Sequence, residues 1–123
     1  MMAYGDAVGG KASVSSIGRS LLRFAWVPDA EISVADARDV LARSAVLAAN
    51  APHAVLIDFR GIRYVSLDAH RAFATETTAV AAAFLGSGPM DRVLAARAEQ
   101  ALHPTRFFTS ESRAIRWLRR YCP

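Results

Sequence analysis

An unbroken apolar run in the middle of the chain places the tightest limit on its fold. Residues 54–57 read Ala-Val-Leu-Ile, with Pro52 just before the run and Asp58 directly after it. Because the run contains no polar residue, a strand formed by it has no face suited to water. Strands of this kind are typical of parallel sheets that helices cover on both sides. The run therefore predicts a central strand in an α/β domain.

The segment before this strand predicts a β-hairpin. Residues 13–17 and 21–26 are rich in β-branched and aromatic side chains, and Gly18-Arg19 lies between them as a turn. A short connection containing glycine between two such runs is typical of antiparallel strands. Further runs at residues 92–96 and 105–108 predict two more strands, so we expect about five in the sheet.

Two segments inside the chain show the apolar spacing of helices. Ser33 precedes Asp36 by three residues, which resembles a capping box, and this helix should end near residues 50–52. Ser66 predicts the N-cap of a second helix, which we expect over residues 67–85.

A last helix, capped by Thr109 or Ser110, closes the chain. The order β-β-α-β-α-β-β-α predicts a single domain over residues 12–123, preceded by a flexible tail at residues 1–11. Its architecture should be a mixed, mostly parallel sheet with an N-terminal hairpin and helices packed against it.

Composition narrows the classes of function. The chain has 15 Lys and Arg against 11 Asp and Glu, and Lys11 is its single lysine. Only the C-terminal arginines cluster, and cations at the end of a helix complement its dipole. No helix-turn-helix, zinc-finger or aromatic RNA-binding signature accompanies the charge, so the sequence argues against a nucleic-acid partner. The clustered arginines are Arg113, Arg116, Arg119 and Arg120.

The chain also lacks the sequence marks of export, metal binding and membrane spanning. Cys122 is the single cysteine, so we expect neither an internal disulfide nor a Cys/His zinc site. The start has no basic lead followed by a long apolar run, and no apolar stretch approaches the ~20 residues of a membrane span. We therefore expect a cytoplasmic protein without a metal or cofactor.

The segment after the central strand resembles a known motif. Residues 55–68 read Val-Leu-Ile-Asp-Phe-Arg-Gly-Ile-Arg-Tyr-Val-Ser-Leu-Asp. This segment is similar to the STAS domain, the family of anti-sigma-factor antagonists and of the cytoplasmic domains of sulfate transporters. The family's motif is an apolar strand ending in aspartate, a glycine-containing loop, an apolar pair, and Asp-Ser-Ser-Gly at a helix start. The pair Phe107-Phe108, with Ala114 and Trp117-Leu118, also resembles the family's last strand and helix.

The ungapped match retains some motif positions and changes others. Asp58 and Gly61 retain the aspartate at the strand end and the loop glycine. Ser66 occupies the position of the second aspartate, Asp68 that of the phosphorylatable serine, and Ala69 that of the glycine. The resemblance thus implies a STAS-like module in which a carboxylate replaces the phosphoacceptor hydroxyl. If the register shifts by two residues, Ser66 is itself the candidate phosphoacceptor.

The resemblance also implies what the domain does. We expect a non-enzymatic, regulatory protein-interaction module of a bacterial cytoplasm, whose partner is an anti-sigma factor or a kinase-like regulator. Its docking surface should be the loop after the central strand and the exposed start of the next helix. The expected contact residues are Asp58, Arg60, Arg63, Ser66, Asp68, His70 and Arg71.

Each of these residues also has a plain structural explanation. Ser66 and Asp68 suit the N-terminus of any helix, and Asp58 can order its own loop through an ion pair. His70 near Ser66 and Asp68 suggests a catalytic triad. No nucleophile elbow or oxyanion hole accompanies them, however, so we expect His70 to be an exposed helical residue. His53, next to Pro52, is expected in a loop.

Two further alternatives stay open. One is a carrier of a small molecule or lipid, with a cavity between the hairpin and the last helix. The other is self-association as a homodimer through a basic, alanine-rich helix. We name no catalytic residue, because the sequence offers no acid–base pair and no nucleophile with its base.

Overall fold

The structure is a computed structural model that describes residues 11–76, 79–87 and 103–122. Its strands are β1 (Ala12–Gly18), β2 (Leu21–Trp26), β3 (Glu31–Ile32), β4 (His53–Asp58), β5 (Tyr64–Val65), β6 (Ala79–Leu85) and β7 (Thr105–Phe108). Its helices are α1 (Val34–Leu47), α2 (Leu67–Ala74) and α3 (Glu111–Leu118).

The main sheet has five strands in the order β1-β2-β4-β6-β7. The first pair, β1 and β2, is antiparallel, and every other neighbouring pair is parallel. The predicted mixed, mostly parallel sheet is thus confirmed. A second, two-stranded sheet joins β3 to β5 in parallel.

The N-terminal hairpin is confirmed, with its turn one residue later than predicted. Gly18 still pairs with Leu21, so the turn consists of Arg19 and Ser20. Ser20 has a φ of 53°, the left-handed conformation that a tight turn between twisted strands requires.

The helix starts are confirmed at three serines. Ser33 and Asp36 form the predicted capping box of α1, Ser66 caps α2, and Ser110 rather than Thr109 caps α3. In each helix the serine hydroxyl accepts a hydrogen bond from a backbone N–H that the helix cannot satisfy itself.

The predicted helix over residues 67–85 is wrong in its second half. The helix ends at Ala74, and Ala79–Leu85 is strand β6, paired in parallel with β4 from Ala54↔Ala81 to Asp58↔Leu85. Alanine has the highest intrinsic helix propensity, which favours a helix in isolation. Pairing on a central strand, where nearly every side chain is buried, overrides that local preference.

Two apolar clusters cover the two faces of the sheet. Val55 and Ile57 of β4 point to the cluster that α1 and α2 complete, whereas Leu56 points to the cluster formed with Trp117 and Leu118 of α3. This arrangement confirms the prediction, made from the apolar run at residues 54–57, of a strand covered on both faces. The α1 and α2 layer and the α3 layer therefore lie on opposite faces of the sheet.

His53 corrects another prediction. It is the first residue of β4 and 1% exposed, not a loop residue, and its Nδ1 lies 2.9 Å from the carbonyl oxygen of Ala51. The strand begins directly after Pro52, because pairing with Ala79 of β6 extends it past the apolar run. The predicted strand at residues 92–96, and all of the predicted tail at residues 1–11 except Lys11, lie outside the described residues.

Candidate functional site

The segment that resembles the STAS motif leaves the sheet at its carboxyl edge. After β4 ends at Asp58, residues 59–63 form a loop, β5 follows, and Ser66 opens α2. Gly61 has a φ of 78° and its carbonyl oxygen accepts a hydrogen bond of 2.8 Å from the amide of Asp29. The predicted path from a buried strand through a short loop to a helix start is therefore what the structure has.

The small β3–β5 sheet fixes the start of α2. Ile32 pairs with Val65, and the carbonyl oxygen of Ile32 accepts a hydrogen bond of 3.0 Å from the amide of Ser66. The amide of Arg63 donates to the carbonyl oxygen of Ala30 at 2.8 Å. Backbone bonds on both sides of Tyr64 thus hold the helix start against the segment before α1.

Ser66 acts as the N-cap of α2. Its Oγ accepts a hydrogen bond of 3.0 Å from the amide of Ala69, and its side chain is half-buried. Asp68 lies in the first helical turn and is exposed. A carboxylate at this position complements the positive end of the helix dipole.

Asp58 is buried and bound by two arginines. Arg60 donates from Nε to Oδ1 at 3.0 Å, from Nη2 to Oδ2 at 2.8 Å, and from its amide to Oδ1 at 3.0 Å. Arg23 of β2 donates from Nη2 to Oδ2 at 2.6 Å, and its Nη1 binds Glu111 at the start of α3. The ion pair of Asp58 with Arg60 orders the loop after β4, as expected if Asp58 has a structural role. The contacts of Arg23 also link that loop to β2 and α3.

The pKa of Asp58 lies below its usual range. Burial alone would raise this pKa, but the hydrogen bonds from Arg60 and the positive charges of Arg60 and Arg23 outweigh burial. The same contact raises the pKa of Arg60. Asp58 is therefore a charged structural anchor and unsuited to proton transfer near neutral pH.

The prediction that His70 is exposed is wrong. His70 is 4% exposed, and its ring centroid lies 6.0 Å from those of Phe59 and Phe84. The buried face of this short helix consists of Ala69, His70 and Phe73, so His70 faces the sheet together with its apolar neighbours. Ser66, Asp68 and His70 therefore do not meet as a triad on one surface.

The exposed residues around the helix start include two that the sequence interpretation missed. Tyr64 is 56% exposed and Leu67 is 45% exposed. In strand β5, exposed Tyr64 alternates with buried Val65. This alternation of side chains is the one sequence signal that could have indicated the exposure of Tyr64. We call the exposed group the α2 entry surface; it consists of Arg60, Arg63, Tyr64, Leu67, Asp68 and Arg71.

A groove adjoins this surface between the first two helices. It has a volume of about 560 Å³, and Asp68 and Arg71 of α2 line it opposite Arg38 and Leu41 of α1. Arg38 and Arg71 are both exposed. Asp68 and Arg71 belong both to the lining of this groove and to the α2 entry surface, so the two adjoin directly.

The region of the predicted carrier cavity is packed with side chains. Ile17 and Leu21 of the hairpin pack in one cluster with Trp117 and Leu118 of α3. Within the part of the chain that the structure describes, no group of three His, Cys, Asp or Glu side chains could hold a metal ion. None of the helices there is both long and apolar enough to cross a membrane.

Comparison with protein families decides the family. The model of a family described as Domain of unknown function (DUF7793) matches residues 16–122. The chain belongs to this DUF7793 family. The match covers the hairpin from Ser16 onward, the α2 entry surface and α3, so these features are parts of one family domain.

A solved structure shows which fold the DUF7793 domain shares. The chain is similar to an uncharacterized protein of the DUF3478 family with a SpoIIAA-like fold from Shewanella loihica PV-4, whose crystal structure has a resolution of 2.25 Å. The two are 21% identical, with a TM-score of 0.63 over 88% of this chain and 93% of that chain. A comparison with curated proteins finds no match. The fold expected from the STAS resemblance is confirmed.

Proposed function

We propose that this domain is a non-enzymatic interaction module that binds a regulatory protein through the α2 entry surface. The observation that carries the proposal is the exposure of Tyr64 and Leu67 on backbone that the β3–β5 pairing holds in place. Exposed tyrosine and arginine on a rigid support are the residues that dominate the affinity of protein interfaces. A preorganised surface also loses little conformational entropy on binding.

Charge gives this surface its specificity. Asp68 carries a negative charge at the helix start, with Arg63 and Arg71 exposed on the same surface. In the STAS-like register, Asp68 stands where antagonists present a phosphorylatable serine, so its charge is permanent. The module is therefore a regulator of the anti-sigma-antagonist type without a phosphorylation switch. Its partner is an anti-sigma factor or kinase-like protein of a bacterial cytoplasm.

Burial supports a smaller set of proposed contact residues. Asp58 and His70 are buried beneath the surface, whereas Arg63, Asp68 and Arg71 are exposed to a partner. Arg60 is exposed too, but its guanidinium already binds Asp58. Ser66 is half-buried and occupied as a cap, which supports Asp68 as the charged contact at the helix start.

The test compares single variants in an affinity capture from the native bacterium. Asp68→Ala and Arg71→Ala should each lower recovery of an identified partner at least tenfold. The control Arg116→Ala, an exposed helical arginine on the opposite face of the sheet, should leave recovery unchanged. Equal recovery by all four proteins would discard this surface. Mass spectrometry of the purified native protein tests the absent switch, because phosphate on Ser66 would contradict it.

A further inference from the structure

The face of the domain that carries α3 presents six arginines. Five of them are exposed and Arg119 is half-buried. Within residues 11–76, 79–87 and 103–122, none of the six lies within salt-bridge distance of a carboxylate. We call this group the α3 basic face; it consists of Arg19, Arg106, Arg113, Arg116, Arg119 and Arg120.

Three elements bring these arginines together. Because Ala114, Trp117 and Leu118 bury the inner side of α3, Arg113 and Arg116 lie on its outer side. The side chain of Arg119 reaches the hairpin turn, with Nη1 3.4 Å from the carbonyl oxygen of Arg19.

Strand β7 contributes Arg106 to the same face. Its guanidinium carbon lies 5.4 Å from the ring centroid of Phe108, and Phe108 in turn packs at 5.7 Å on Trp117 of α3. The α3 basic face therefore extends from the edge of the sheet, across the helix, to the hairpin turn.

No acid balances this charge in the described part of α3. Glu111 is the one carboxylate there, and Arg23 and Arg60 already bind it. The helix dipole explains Arg116 in the last turn. It does not explain Arg113, because a cation in the first turn opposes the dipole. The arginines of this face are thus not accounted for by the stability of the helix.

Although the sequence carries no known nucleic-acid-binding signature and argued against such a partner, we propose that the α3 basic face binds single-stranded nucleic acid through its phosphate backbone. Guanidinium groups match phosphate oxygens in a bidentate geometry. From Arg113 to Arg120 the row of arginines extends over a rise of roughly 10 Å at helical spacing, so it can contact more than one phosphate of a strand. Tyr121 is 41% exposed at the end of this row, and its ring is held edge-on to Trp117 at 5.1 Å. An exposed ring beside arginines is a stacking platform for a base.

The same observations disfavour a membrane as the partner. A helix that lies on a bilayer inserts its apolar side, but the apolar side of α3 is part of the core. Val46 and Leu67, two large exposed aliphatic residues, belong to α1 and α2 on the opposite face of the sheet.

The experiment measures the fluorescence anisotropy of a labelled oligothymidylate with the full chain over a range of salt. Binding should weaken linearly on a logarithmic salt scale. The triple variant Arg113→Gln/Arg116→Gln/Arg120→Gln should bind at least tenfold more weakly, with a salt slope lower by about 2. Tyr121→Ala should weaken binding about fivefold and leave the salt slope unchanged.

Matched variants on the other face serve as controls. Arg38→Gln/Arg63→Gln/Arg71→Gln removes an equal number of charges from exposed positions, and Tyr64→Ala removes a ring that is more exposed than that of Tyr121. Both should retain affinity within about twofold, as expected for contacts that are local. Circular dichroism of every variant establishes that the fold is kept.

Three results would overturn the proposal. The first is no saturable binding at about 10⁻⁴ M protein in low salt, since non-specific complexes form below that concentration. The second is an equal loss of affinity in the two triple variants. The third is that another polyanion replaces nucleic acid at equal charge. Polyglutamate would then displace the labelled oligonucleotide as effectively as unlabelled oligonucleotide does, or phosphatidylglycerol vesicles would bind the chain equally tightly.

Discussion

Arg60 binds both carboxylate oxygens of Asp58 from only two residues further along the chain, at 3.0 and 2.8 Å. The short separation closes the loop after β4 on itself, and Arg23, which is 35 residues away, attaches that loop to the hairpin. The position of the α2 entry surface thus depends on a carboxylate that no partner can reach.

Asp58→Asn should lower the free energy of unfolding by about 2 kcal/mol, because the amide loses charge-assisted hydrogen bonds and leaves Glu111 as the one carboxylate that Arg23 and Arg60 still contact among the described residues. Urea denaturation followed by tryptophan fluorescence measures the change. Asp39→Asn is the control, since it removes an i,i+4 pair with Arg43 near the surface and should cost about 0.5 kcal/mol or less. Equal losses in both variants would contradict the importance of this anchor.

Acid should weaken the wild-type protein more steeply than Asp58→Asn. The folded pKa of Asp58 is depressed, so its contribution is complete above the unfolded carboxyl pKa of about 3.9 and disappears as the pH falls through the folded pKa. Burial would raise the pKa of Asp36, but hydrogen bonds from Ser33 and Lys11 and the charge of Lys11 lower it. Asp36 therefore contributes a similar pH-dependent part of the unfolding free energy to both proteins. The difference in unfolding free energy between the two proteins should therefore shrink below about pH 4. A difference that stays constant down to pH 2 would be the contrary result.

Ser66→Ala should destabilise the domain by about 1 kcal/mol, because the amide of Ala69 loses its acceptor. Ser66→Asp should retain the cap and most of the stability. Thermal unfolding of the three proteins distinguishes them. If Ser66→Ala unfolds like the wild type, the hydroxyl is not a stabilising cap.

Gly61→Ala should destabilise the domain more than Gly18→Ala, because Gly61 has a backbone conformation that alanine rarely adopts. At Gly61 a Cβ would meet open space, but the φ of 78° costs about 1 kcal/mol for alanine, and asparagine should cost less. At Gly18 a Cβ would meet the end of the Arg119 side chain, which can swing away, so the cost should be small. Denaturation midpoints measure both, and a larger loss at Gly18 would contradict this assignment.

The local parts of the fold follow from the sequence. The apolar run before Asp58 indicates a strand covered on both faces, and Ser33 and Ser66 mark their helices, because caps and turns depend on residues only a few positions apart. The same is true of the hairpin. The candidate site could likewise be placed at the start of α2 from local sequence.

The burial of particular side chains does not follow from local sequence. Nothing near His70 distinguishes a buried from an exposed histidine, and Tyr64 and Leu67 look like core residues by composition. Each outcome depends on which surface of the sheet or helix a distant segment covers.

By itself, then, the sequence determined the α/β class, the helix starts and the loop that carries the candidate site. The tertiary structure alone decided that residues 79–85 form a strand, that Arg23 reaches both Asp58 and Glu111, and that six arginines share one face. The reason is physical. Caps and turns depend on neighbours along the chain, whereas strand pairing, ion pairs and shared surfaces depend on segments that meet only after folding.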